Sequence, residues 1–534
     1  MKKIMGLVVI IAALVLGGYY GMGLVTERTL KKNVGIINHT NGVFIDIQGY
    51  DRGWFTSTAA LVWHLHVPEH IEKSQDGQTS TVPAKEFSLQ MPLKVYHGPF
   101  IFSENHVHFG LGYARSNIAL PQEFTQKFSN LFTEQSDKPE LDVSLFVNYL
   151  NNSRLHVDLP SFKLTTKQGG DQFEWLGMDS DVSVSSNLRK IDGNFSIDGF
   201  SMTKDKVKAT LGKVSSAYNL HESDTGLYLG EASLSVPSFV VTENSTRKLL
   251  EVNQFSIRTG SGVENDLFSS YFKASLDKLV AQDKSYGPAH LELSIKNLDA
   301  QVLAEINQQT SKIQQGTDTE RQQALLAILP NLPRLFGKGA EFEVSKLSFV
   351  VPEGEINGDL LVSLPAGNTG NPFQLLQKVQ GHGKLKVPVS VVRSLVMASV
   401  KQNLQNQPNV QQVMMKQINN NVADQKAQTS TAPSDSPASS VKTGATAAAP
   451  PATPPQTTDP VQGKPTQDSS AQGNPLTAVE LEKEATTQTS QKLSALEQSG
   501  LLSLQGKEYV IELSLLQGQL SVNGKPFNQS MIQF

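Results

Sequence analysis

The sequence predicts an α+β, β-dominated protein: an N-terminal transmembrane helix followed by a long curled antiparallel sheet packed on several amphipathic helices. Three observations carry that prediction. An uncharged run spans Ile4 to Val25. Apolar and polar residues alternate with period two from Val43 to about His290. Helical spacing appears in separate stretches after Asp299, Pro388 and Asn474.

The uncharged run has 22 residues. At ~1.5 Å per residue it reaches roughly 33 Å, enough for a hydrocarbon core of ~30 Å. A cleaved secretory leader has a shorter apolar region, ~7–15 residues, and a small-residue cleavage site. This run is longer and no A-x-A site follows it, so residues 1–25 are expected to be a retained membrane anchor. Gly17, Gly18, Gly21 and Gly23 suit the close approach of another helix, and Gly is common in membrane helices in any case. Lys2 and Lys3 favour an inside N-terminus, although Arg28, Lys31 and Lys32 weaken the asymmetry. The tail before the run is too short to be a domain, so the bulk is expected to be translocated.

Residues 26–296 read as a β-rich body. Phe87, Leu89 and Met91 alternate with Ser88 and Gln90; Val182 and Val184 alternate with Ser183 and Ser185; Phe195 with Ile197, and Leu291, Leu293 and Ile295, repeat the pattern. Asp192-Gly193, Asp198-Gly199 and Asp224-Thr225-Gly226 read as turns between strands. Residues 297–427 read as helices with intervening strands. Val302, Leu303, Ile306 and Ile313 share a helical face, as do Leu325, Leu326, Ile328 and Leu329 in 319–336, where Pro330 and Pro333 should break the helix. Strands return over 341–364, and helical spacing resumes at Val389, Val392, Val396 and Val400, then over 409–425. Such faces are expected to pack on the sheet rather than to bind lipid or a partner.

Residues 428–475 hold nine of the 26 prolines, no aromatic residue, and only Val441 and Val461 as large apolar side chains. A segment like this cannot bury enough surface to offset its ordering entropy, so a disordered, extended linker is expected. Residues 476–534 read as a C-terminal helix plus β-hairpin. Asn474-Pro475 gives a helix start, Gly500 a stop, and Gln517-Gly518 and Asn523-Gly524 give turns.

Composition narrows the chemistry. The 534 residues include no cysteine, which excludes disulfides, thiolate metal sites, iron–sulfur ligation and a Cys nucleophile. With 46 basic and 50 acidic side chains the net charge is -4, which gives no reason to expect a nucleic-acid partner. No nucleophile elbow, H-E-x-x-H or P-loop pattern occurs, and no cofactor is implied. His64 with His66, and His106 with His108, are strand residues two apart and so share a face; each pair is a candidate metal chelate, set against the plainer reading of half-exposed strand histidines. Asp179-Ser180-Asp181 resembles a fragment of a calcium loop without its downstream Gly and Glu.

Three short motifs carry a family resemblance. They are Gly49-Tyr50-Asp51-Arg52-Gly53-Trp54-Phe55-Thr56-Ser57, His97-Gly98-Pro99-Phe100, and Gly518-Gln519-Leu520-Ser521-Val522-Asn523-Gly524-Lys525-Pro526. With the Lys-Lys start and Asn297-Leu298-Asp299 leading into a helix, their order resembles the YdgA-type proteins of the Gram-negative cell envelope, whose biochemical function is undefined. The resemblance implies one inner-membrane helix and a large periplasmic body, and it supplies no catalytic residues. The 428–475 segment departs from the family pattern.

Read physically, Gly49 and Gly53 bracket a strand end, Arg52 beside Trp54 offers a cation–π contact, Trp54 and Phe55 are expected in the core rather than at a membrane interface, and His97 is expected to bond backbone in a turn. The functional expectation is a non-catalytic envelope protein at the inner membrane that binds a lipidic or protein client in an apolar groove. The alternatives are a metal-assisted enzyme using the four histidines, and a scaffold that captures a partner with its tethered C-terminal piece.

Overall fold

The computed structural model describes residues 2–38, 43–67, 70–73, 79–82, 85–103, 106–120, 122–244, 246–315, 328–367, 375, 377–404 and 478–528. The expected linker 428–475, the helical stretch 409–425 and most of 319–328 lie outside these residues.

Helix α1 (Lys2–Asn38) leads into β1 (Val43–Arg52) and β2 (Thr56–Val67). The small pair β3 (His70–Lys73) and β4 (Thr79–Val82) precedes β5 (Lys85–His97). A second small pair, β6 (Ile101–Ser103) and β7 (His106–His108), precedes β8 (Gly112–Ala119) and helix α2 (Gln122–Leu131). Then follow β9 (Glu140–Val147), β10 (Ser153–Leu159), β11 (Phe162–Thr165), β12 (Gln172–Val184), β13 (Lys190–Lys204) and β14 (Val207–Leu211). Next come β15 (Val214–Glu222), β16 (Tyr228–Glu243), β17 (Arg247–Glu264), β18 (Leu267–Leu276), β19 (Lys278–Ala281), β20 (Lys284–Tyr286) and β21 (Ala289–Asp299). Helix α3 (Ala300–Gln315) and short helix α4 (Leu332–Phe336) precede β22 (Glu341–Val351), β23 (Gly354–Ser363) and β24 (Gln380–Pro388). Helix α5 covers 389–404 and helix α6 covers Ala478–Ser499. The chain ends in β25 (Ser503–Gln505), β26 (Glu508–Leu516), β27 (Gln519–Val522) and β28 (Lys525–Pro526).

Among the described residues the period-two sequence builds one antiparallel sheet of 24 strands. Its backbone ladder runs β1-β2-β5-β8-β9-β10-β12-β13-β15-β16-β17-β18-β21-β22-β23-β24-β26. Asp224-Thr225-Gly226 does turn the chain, with Gly226 at φ 83. Asp192-Gly193 and Asp198-Gly199 do not; both lie inside β13. Gly193 sits opposite Tyr218, whose ring fills the space a Cβ would take, and Gly199 pairs with Gly177 at a register shift. Glycine there serves close approach and a bulge rather than a reversal.

The helical expectations hold where they can be seen. The Asp299 carboxylate accepts from the backbone N–H of Gln301 (3.1 Å) and Val302 (3.0 Å), capping α3. Pro330 and Pro333 confine the next stretch to a 3-10 turn and the five-residue α4. Gly500, at φ 84, follows the last residue of α6.

The N-terminal segment requires a correction. Among the described residues no helix is long and apolar enough to cross a membrane, so the expected transmembrane helix and single-pass inner-membrane placement are not upheld. The described part of α1 is instead a packing helix. Tyr19 and Val34 are buried, and Val34 with Leu30 covers Ile45, Leu61, Met91, Leu93 and Val95 of the sheet. Helix α1 also runs on through Glu27, Arg28, Lys31 and Lys32 to Asn38, and charges of that density belong to a helix with one wet face. The side chains of 2–14 lie outside the described residues.

The chain divides into two compact units, Met1–Pro388 with Gly500–Met531, and Val389–Ser499 with Ile532–Phe534. The C-terminal hairpin, grouped with its helix by sequence, pairs β26 onto β24 and so belongs to the sheet. In the second unit Val400, Leu404 and Ala485 form a small core, beside an ion pair between Lys401 and Glu482.

Candidate functional site

The first two motifs meet beneath α1. The turn 53–55 joins β1 to β2, and Gly53 N–H donates to the Thr56 carbonyl at 2.9 Å. The backbone N–H of His97, the last residue of β5, donates to the Phe55 carbonyl at 3.1 Å, which ties the motifs together. Gly98 has φ 126 and lies so close to the Tyr19 ring that a Cβ has no room. Tyr19 donates its hydroxyl to the Phe100 carbonyl at 2.7 Å and sets its ring edge-on to Phe55 at 4.8 Å. Two turns further along α1, Thr26 Oγ1 donates to the Leu111 carbonyl.

Arg52 does not stack on Trp54 as expected. Its guanidinium pairs with Glu27 at 3.0 Å, donates to the Tyr20 hydroxyl at 3.0 Å and lies 4.8 Å from the Tyr20 ring centre, and it is Tyr20 that packs on Trp54. Lys31, hydrogen-bonded to Glu27, holds that carboxyl below its ordinary range, with Arg52 adding to the effect. Trp54 and Phe55 are not core residues either, being 56% and 51% exposed. They occupy the turn between strands, where strand alternation does not decide which way a side chain faces.

His97 is buried together with Ser57, and Ser57 Oγ lies 3.0 Å from its Nε2. Burial pushes its pKa down; the Tyr19 backbone opposes that shift and Arg52 adds to it. Nδ1 closes no hydrogen bond of ordinary geometry, so the Tyr19 backbone is close without being a full partner. The buried Tyr50 hydroxyl, raised by burial, faces Ser57 in the same unclosed way. Ser57 and His97 have the spacing of a nucleophile and its base. A substrate has no route to them, because both are 1% exposed and Gly23 of α1 lies on the His97 ring.

The sheet itself presents two contrasting faces, fixed by register. One row reads Leu145, Leu155, Val182, Gly193, Tyr218, Ala232, Thr259, Phe272 and Leu293 across β9, β10, β12, β13, β15, β16, β17, β18 and β21. The next row on that face reads Val143, Val157, Ser180, Phe195, Ser216, Leu234, Ile257, Ala274 and Leu291. Toward β2 the first row continues through Ala114 and Val95 to Ser57, under α1. Toward the far end the same face is covered where α3 packs Ala300 and Ala304 on Leu229, Val263 and Phe268. Between those covers every residue of both rows is only half-buried, and among the described residues no buried cluster contains a residue of β10, β12, β13 or β15.

The opposite face is polar. His156, Asp181, Asn194, Ala217, Ser233, Arg258, Lys273 and Glu292 stand in one row. A cleft of about 940 Å³ lies there, lined by Arg154, Asp181, Asp192, Glu231, Arg258 and Tyr271 among others. His156 Nδ1 lies 3.5 Å from Asp179 and 3.3 Å from Asp181, and these three could hold a metal ion. Asp179-Ser180-Asp181 carried a signal in the sequence; His156 carried none, because only the register of β10 against β12 brings it there.

The predicted histidines are placed differently. His64 packs on Phe44 with ring centres 5.9 Å apart, and the side chain of His66 lies outside the described residues. His106 and His108 stand 6.2 Å apart, and His108 stacks on Tyr113 at 4.7 Å. Burial, then His106, pushes His108 below its ordinary pKa. Among the described residues His64, His106 and His108 join no three-ligand group. Pro99 accepts a hydrogen bond from the Tyr149 hydroxyl. In the third motif Asn523 and Gly524 make the turn between β27 and β28 at φ 49 and 76. The Asn523 side chain accepts from the Glu512 N–H (2.8 Å) and donates to the carbonyls of Gly500 (2.9 Å) and Leu501 (3.2 Å), which makes it a structural clip.

Comparison with known sequences places residues 1–530 in the family described as bacterial protein of unknown function (DUF945), and the chain belongs to that family. No curated protein and no solved structure matches it.

Proposed function

We propose that the half-open apolar face between α1 and α3 holds a lipidic client, and that the chain is a non-catalytic binding protein of the YdgA type within its family. The observation that carries this reading is the pair of apolar rows from β9 to β21, aligned residue for residue and, among the described residues, joined to buried clusters under helices at their ends. Strands ~4.8 Å apart extend that face for roughly 40 Å. Leaving it in water forgoes about 25 cal/mol for each Å² of apolar surface that a client could cover. The rows offer aliphatic and aromatic side chains with few hydrogen-bonding groups, and the interior strands have no free backbone edge for strand addition. That chemistry suits acyl chains better than a folded protein, whose interface would need polar partners at its rim.

The test is titration of the full chain with a long-chain fatty acid carrying an environment-sensitive dye. Saturable, blue-shifted binding is expected, weakened about tenfold or more by Phe195→Asp with Ile257→Asp, which add a charge at each of two strands of the second row. Asn194→Asp with Ser233→Asp, on the opposite face, should leave binding intact. Absence of saturable binding, or equal loss from both pairs in variants with unchanged circular dichroism, would overturn the reading.

A further inference from the structure

Beside the buried junction, and separate from the apolar rows, the turns around α1 carry a rim of exposed aromatic residues. Trp54 and Phe55 project from the β1–β2 turn, Phe100 and Phe102 from the segment after β5, Phe109 from the segment after β7, and Tyr149 from the β9–β10 turn. Each is between 47% and 67% exposed. Five of them are joined through contacts, and Phe102 lies two residues beyond Phe100 on β6. Trp54 packs on Tyr20, Phe55 on Tyr19, Tyr19 bonds the Phe100 carbonyl, Phe100 packs on Phe109 at 5.6 Å, and Tyr149 bonds Pro99. An aromatic side chain presents ~150–250 Å², so six that are about half exposed present roughly 500–700 Å². That is at or above the largest apolar patch of an ordinary monomer, ~300–600 Å².

We infer that this rim docks on a lipid surface, at the depth of the headgroup–acyl boundary and without requiring any helix to cross. Three features select lipid over a protein partner. Trp54, Phe55, Phe100, Phe109 and Tyr149 stand on four separate turns between strands, and Phe102 on the three-residue strand β6. Trp, Tyr and Phe are the side chains that settle at a bilayer interface, the first two because an apolar body carries a polar tip. The patch also continues along α1 into the exposed Val15 and Leu16, in a sequence with no charge from Ile4 to Val25, while Arg52, the cation beside it, is neutralised by Glu27.

The inference does not depend on the client reading, and depth-dependent quenching tests it. The full chain is mixed with vesicles of phosphatidylcholine and phosphatidylglycerol that carry bromine at defined acyl positions. Trp54 is compared with Trp175 by keeping one at a time, with Trp63→Phe in both. Emission of the Trp54 form should shift to the blue and be quenched best by bromine near the headgroup, at least about threefold more than the Trp175 form. Phe102→Ser on β6 with Phe109→Ser after β7, both exposed, should reduce vesicle partitioning by about tenfold, and should leave binding of the acyl probe in solution unchanged. Unquenched Trp54, unaltered partitioning of the double variant, or a rim that responds only to protein concentration in the absence of lipid would each overturn it; the last would mark a contact between copies of the chain.

Discussion

The two stretches of one sheet, β1–β8 and β9–β18, are written in the same alternating code and end in different states. In the first, α1 closes the apolar face, and Ile45, Leu61 and Val95 fall to between 2% and 6% exposure. In the second, the same face continues in register, and the residues of the two central rows stop at half-burial. Alternation therefore fixes which face is apolar, and a separate element decides whether that face becomes core.

The comparison breaks most readily at its packed end. Ile45→Ala should lower unfolding stability by about 2–5 kcal/mol, through lost transfer energy and a cavity. Ile257→Ala, on the open stretch, should lower it by about 1 kcal/mol or less, since little surface is removed from packing. Denaturant titration of both variants checks the contrast, and equal losses would mean that the open stretch is covered after all. Gly98→Ala should lower stability by about 1–3 kcal/mol, because it strains a φ of 126 and drives a methyl into Tyr19. Its accompanying sign is early proteolysis within α1, read by mass spectrometry.

A subtler test uses pH. His97 is neutral when folded, with its pKa pushed down mainly by burial, while the unfolded chain keeps an ordinary value near ~6.5. Between those two values the unfolded state binds more protons, so this contribution is fully present above about pH 6.5 and is lost as pH falls toward the folded pKa. Stability measured downward from pH 7 should fall in that window, and His97→Gln should flatten the slope. Arg52→Ala should have the smallest effect, about 1 kcal/mol or less, because Lys31 still pairs with Glu27; rising salt should shrink the difference further.

Much of the sheet was legible in the sequence, because a strand's faces follow from residue order alone. Phe195 with Ile197, and Leu291 with Leu293, sit on the face their spacing assigned. Dipeptide turn signals were less reliable: Asp192-Gly193 accommodates Tyr218 inside a strand, a long-range contact that local sequence does not encode. The apolar run of α1 read as a lipid-facing span because hydropathy cannot tell lipid from a protein sheet, and Tyr19 faces the latter. The motifs around Arg52 and His97 were visible as words, but their meeting depends on the pairing of β2 with β5 and on α1 lying over both. His156 with Asp181 was invisible for the same reason.

The most direct test of the central claim is photo-crosslinking in the full chain. A benzophenone side chain would be placed at Leu155, Leu234 or Leu291 on the apolar rows, and at His156, Ser233 or Glu292 on the opposite face. After illumination of protein isolated under mild conditions, mass spectrometry should find lipid adducts at the first three positions and not at the second three. Adducts spread evenly over both faces, or the first three joined to segments of the chain itself, would contradict the account.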